Sequence, residues 1–111
     1  MKNQVIINEQ HTLLQDQVDL LNHVYGVGMW ERLDVPASGW TKDEMEAVVA
    51  ENGHNNLIFA SPIPLLIGMV AAKNNGKQFA VLYNDRREKK ELPNGKIIMT
   101  VAQTGWQLEQ F

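Results

Sequence analysis

The sequence predicts an α+β domain, with a mixed β-sheet of about three to five strands and two or three helices mainly on one face. Three observations carry this. Two stretches in the first half repeat apolar residues at helical spacing. A continuous apolar run, 57–60, and a second strand-like stretch, 78–83, bracket a segment that fits a crossover. Beyond Asp85, turn residues alternate with β-branched runs. The chain of 111 residues suits one domain, 1–111, and its 44% apolar and 21% charged residues suit a globular core rather than a disordered chain.

Residues 4–7 read as a short first strand. Asn8 then serves as the cap of a helix over 9–25, in which Leu14, Val18, Leu21 and Tyr25 step by four, three and four. Gly26 ends it, since glycine readily takes the left-handed conformation of helix stops. The stretch 26–40, broken by three glycines and Pro36, reads as a long connection. A second helix starts at Thr41-Lys42-Asp43-Glu44, a capping box in which hydroxyl and carboxylate satisfy orphan amides reciprocally. Trp40 and Met45 fit a hydrophobic staple around that cap, Met45, Val48 and Val49 face inward, and Asn52-Gly53 closes the helix.

Leu57-Ile58-Phe59-Ala60 has the composition of a strand covered on both faces. Ser61-Pro62 fits a cap followed by proline at the first helical position, which predicts a helix over 65–73 with a stop at Asn74-Asn75-Gly76. With the strand 78–83, this gives a parallel β–α–β crossover. Pro64, Gly68 and the β-branched Ile67 and Val70 keep an all-strand alternative open for 61–73; the crossover is preferred. Pro93-Asn94-Gly95 is a hairpin turn before a strand at 96–102, and Thr104-Gly105 turns the chain into a last half-buried strand marked by Trp106 and Leu108.

Composition excludes several function classes. Ten basic against 13 acidic residues give a net charge of −3, which argues against general nucleic-acid binding. The longest apolar run, eight residues at 65–72, is too short to span a bilayer, and no secretory core is visible near the start, so a cytoplasmic protein without membrane contact is expected. Without cysteine there is no thiolate chemistry. His11 and His23 lie twelve residues apart on the predicted first helix, too far to share a metal, and no metal or other cofactor is expected. Gly26-x-Gly28 lacks the third glycine of a dinucleotide loop.

Candidate binding residues remain. Trp30 and Arg32 sit in the long connection, and aromatic and arginine side chains are typical interface anchors. Arg86 and Arg87 open the run Asp85-Arg86-Arg87-Glu88-Lys89-Lys90-Glu91, which reads as a solvated hairpin arm or a charge-protected edge, with reception of an acidic ligand as the functional alternative. Trp106 lies on a terminal strand that a second chain could pair. The resulting expectation is a small interaction protein that self-associates as a homodimer and acts on an unidentified protein or small acidic ligand without catalysis. The alternative is a small-molecule site or modest enzyme built from His54, Ser61 and Asp85 at one sheet edge. Ser61 lacks the flanking glycines of a nucleophile elbow, and the crossover sets His54 and Asp85 apart.

Overall fold

A computed structural model describes residues 2–73, 79–84 and 86–111. Among these, three helices and seven strands follow the order β1 (Asn3–Asn8), α1 (Gln15–Tyr25), β2 (Glu31–Val35), α2 (Lys42–Asn52), β3 (Asn56–Phe59), α3 (Pro64–Lys73), β4 (Phe79–Tyr83), β5 (Arg87–Glu91), β6 (Ile97–Val101) and β7 (Gln107–Gln110). A mixed five-stranded sheet runs β2-β1-β3-β4-β7, and β5 and β6 form a separate two-stranded sheet. This is the mixed sheet of the predicted α+β class. The expected stop at 74–76, Gln78 and the candidate site residue Asp85 lie outside the described residues.

Four strands are parallel, and β7 pairs antiparallel with β4 through Leu82 opposite Leu108. The preferred crossover at 57–83 is therefore present, with α3 between parallel β3 and β4. From β1 the chain winds through α1 to β2 on one side and later returns through α2 to β3 on the other. Opposite windings place helices on opposite faces. Leu21 of α1 packs with Val5, Ile58, Ala80 and Leu82. On the other face, Val49 of α2 and Leu66 and Val70 of α3 pack with Ile6, Leu57 and Phe59. The alternation Val5/Ile6 and Ile58/Phe59 sends neighbouring side chains into different cores, which is why β3 reads as a continuous apolar run.

Two predicted boundaries are corrected. The helix expected over 9–25 begins at Gln15, because Asn8 does not cap it. The Asn8 Oδ1 accepts the Gln10 amide at 3.0 Å instead, a local turn that competes with a helix start. His11 is thereby in a loop rather than on α1. At the true start Leu14 has no side-chain oxygen, and the buried Gln17 folds back to accept the Leu14 amide at 2.8 Å. The connection 26–40 contains an edge strand, β2, hidden in the sequence by its charges: only Leu33 and Val35 turn to the core, while Arg32 and Asp34 pair on the outer side at 2.8 Å. Gly26 does stop α1, at φ 101° with its amide on the Asn22 carbonyl.

The capping box of α2 is realised in both directions: Thr41 Oγ1 accepts the Glu44 amide at 3.2 Å and the Glu44 carboxylate accepts the Thr41 amide at 3.0 Å. Hydrogen bonding of the Glu44 carboxylate to Thr41, to its backbone amide first and to its side chain second, holds the Glu44 pKa below its ordinary value of 4.5. The start of the parallel strands is tied by buried amides. Asn55 accepts the Lys2 amide and donates to Gln4, and Gln4 donates to Glu31. Asn56 donates to Asn3, and its own Oδ1 is buried with no partner among the described residues.

Candidate interaction surface

The tryptophans singled out as interface anchors are packing residues. Trp30 and Trp106 are half-buried against the α1 core. The Trp30 indole donates to Asn22 Oδ1 at 2.8 Å. The Trp106 indole donates to the Ala102 carbonyl at 3.0 Å, and its backbone amide donates to Asp16 Oδ2 at 2.9 Å. With both N–H groups satisfied, these rings seal the two flanks of α1. Arg32 is exposed, but its guanidinium is committed to Asp34 and to the His11 carbonyl at 3.0 Å.

Arg86 and Arg87 stand at the root of the β5–β6 arm. The Arg86 amide donates to Asn84 Oδ1, the Arg87 guanidinium donates to the Asn84 and Arg86 carbonyls, and the Asn84 side chain donates to the Thr104 carbonyl. Gly105, at φ 87°, lets the strands converge there; a Cβ on it would lie 3.1 Å from Arg86 Cδ. Arg86 braces the arm through its backbone amide and Arg87 through its guanidinium Nη1, a donor that an acidic ligand would need.

The alternative site is not brought together. His54 precedes β3 and Ser61 follows it, so they occupy opposite ends of the sheet, about 20 Å apart at the rise of a strand. Ser61 does not cap α3 either, since that helix begins at Pro64. Its Oγ instead accepts the Asn8 amide at 3.1 Å, joining the ends of β3 and β1. Ser61 thus borders a cleft at the C-terminal edge of the parallel strands.

The arm itself is the surface that stands apart. Pro93-Asn94-Gly95 closes it: the Gly95 amide donates to Leu92, the Leu92 amide to the Lys96 carbonyl, and Gly95 takes φ 83°. The strands then pair from Glu91 opposite Ile97 to Arg87 opposite Val101. One face of β6 shows Ile97, Met99 and Val101 at 65%, 56% and 48% exposure. Strand β5 consists of charged residues, which protect a free edge. Strand β6, Ile-Ile-Met-Thr-Val, has no charge on it. Because Leu92 and Lys96 form a bonded pair, the antiparallel alternation turns the amides and carbonyls of Ile97, Met99 and Val101 to the outer edge of β6. Sequence reasoning located this strand and missed its role: a β-branched run looks the same in a core and on a free arm.

The described residues hold no cluster of three or more His, Cys, Asp or Glu disposed to bind a metal, and no helix among them is long and apolar enough to cross a membrane. No protein family, curated sequence or solved structure matches the chain.

Proposed function

We propose that this protein is a self-associating interaction protein that pairs β6 with β6 of a second copy. The observation that carries this is an uncharged strand with three exposed apolar side chains on one face, which among the described residues lies in a two-stranded sheet with its outer edge unpaired. An isolated two-stranded hairpin is marginal in water, and joining two of them makes a four-stranded sheet. A two-fold axis through Met99 places Met99 opposite itself, Ile97 opposite Val101 and Ile98 opposite Thr100 of the other copy. In that register the residues with outward amides face one another, so each donates to and accepts from its opposite number. The apolar stripes of the two chains merge, and the charged β5 strands become the outer edges. The arm also reaches away from the body: the radius of gyration is 15.4 Å, against about 13 Å for a compact domain of this length.

The experiment is sedimentation equilibrium over a wide concentration range. A reversible monomer–dimer equilibrium in the micromolar range is expected. A monomer at every concentration, or assembly that passes the dimer without a plateau, overturns the proposal.

A further inference from the structure

We infer that the cleft at the C-terminal ends of β1, β2 and β3 is a binding site for a neutral, planar heteroaromatic molecule of nucleobase size. The place is set by topology. The chain leaves β1 towards one face and β3 towards the other, and in open parallel sheets a crevice forms where successive connections diverge in this way. Here the crevice has a volume of about 500 Å³, within the range of about 300–1,000 Å³ common to small-molecule sites.

The lining selects the chemistry. Trp40, Met45 and Ile63 supply apolar and aromatic walls, and each also packs against the core, so the walls are held in place. An indole face favours stacking by a flat ring. Polar groups come from Asn8, His11 and Ser61. Asn8 Oδ1 accepts the Gln10 amide and Ser61 Oγ accepts the Asn8 amide, which leaves the Ser61 hydroxyl hydrogen, the Asn8 amide group and the His11 ring N–H as donors. Donors at a flat apolar slot suit ring nitrogens and carbonyl oxygens. An anion is poorly served. Pro62 and Pro64 remove two amides where a phosphate would dock at the start of α3, and Arg32 beside the His11 loop is neutralised by Asp34. A cation is poorly served as well, because among the described residues no carboxylate lines the cleft.

The tryptophans make the test direct. Trp40 borders the cleft, while Trp30 and Trp106 pack on the α1 core and serve as internal controls. Indole-¹⁵N-labelled protein is titrated separately with adenosine, guanosine and uridine, and with AMP and inorganic phosphate as anionic counterparts. The expected result is a saturable shift of the Trp40 indole resonance by at least one nucleoside, with Kd below about 1 mM. The controls stay still, and the anions bind no better than the neutral probes. In His11→Ala, an exposed loop change that leaves the packed walls intact, that affinity falls about fivefold, the loss of one hydrogen bond. No Trp40 shift with any nucleoside up to about 10 mM overturns the inference. So does tighter binding of AMP or phosphate at the same resonance, or a shift shared equally by Trp30 and Trp106.

Discussion

Substituting Met99→Lys tests the proposed pairing at its centre. Met99 is 56% exposed in the protomer, and fully burying such a side chain is worth about 2 kcal/mol, so each chain forfeits about 1 kcal/mol of dimer stabilisation. The two-fold axis also sets the new ammonium groups opposite each other, which adds about 1 kcal/mol. The total, about 3 kcal/mol, raises the dimer Kd about a hundredfold. The protomer is little affected, since an exposed hairpin position typically shifts folding stability by about 0.5 kcal/mol or less. Sedimentation equilibrium reads the Kd, and a thermal melt at low concentration confirms that the variant folds. Mixing Met99→Lys with Met99→Glu restores association as a heterodimer, because only residue 99 faces residue 99 across the axis. Lys89→Ala, directly behind Met99 on the charged strand, changes the dimer Kd by less than about threefold. An undiminished Met99→Lys dimer refutes the pairing, and a weakened dimer that the Glu partner fails to rescue refutes the register.

Three further outcomes follow from the fold. Asn55→Ala removes the buried acceptor of the Lys2 amide and the donor to Gln4, costing about 2–4 kcal/mol, which a urea titration reads as a fall in midpoint at unchanged slope. Thr41→Ala loses the helix cap and about 1 kcal/mol at neutral pH, again measured by urea unfolding. The Glu44 pKa is lower in the folded protein, so its contribution is complete above the ordinary value of 4.5 and lost as pH falls through the lowered one; unfolding titrations between pH 7 and 3 therefore show a smaller acid loss in Glu44→Gln than in the parent. Trp30→Phe and Trp106→Phe each lower the melting temperature by removing an indole hydrogen bond and packing area, and leave the oligomeric state of the folded protein unchanged.

What was legible in the sequence is what local chemistry decides. The α2 cap lies within four consecutive residues, and the hairpin turn is fixed by Pro93-Asn94-Gly95. The β3–α3–β4 crossover follows from two apolar runs at the right separation. What was hidden depends on partners far along the chain. Ser61 resembles a helix cap until its hydroxyl meets the Asn8 amide, 53 positions away. Strand β2 looks like a loop because it is an edge: one face needs only Leu33 and Val35, and the rest can be charged. Trp106 resembles an exposed anchor until Asp16, 90 positions earlier, receives its amide. Conversely, β6 has the composition of a core strand, and its exposure follows only from the arm standing outside the main sheet.

The two proposed surfaces share a cause in the wiring of the sheet. At the N-terminal edge of the parallel strands, Gln4, Asn55 and Asn56 are buried and bonded among themselves and to Lys2, Asn3 and Glu31, so that edge is largely spent on holding β1, β2 and β3 in register. The C-terminal edge is built from connections instead. Diverging loops after β1 and β3 open the cleft, and the arm leaves the same edge after β4, returning as β7 to close the sheet beside it. Strands lie about 4.8 Å apart, so the arm root stands only one to two strand spacings from the mouth of the cleft. The arm is anchored to the body through the Asn84–Thr104 bond and through Trp106 bound to Asp16 of α1, whereas the cleft rests on the opposite face against α2. Pairing two arms therefore leaves the α2-side cleft walls untouched, and the dimer Kd should be the same with and without a saturating nucleoside.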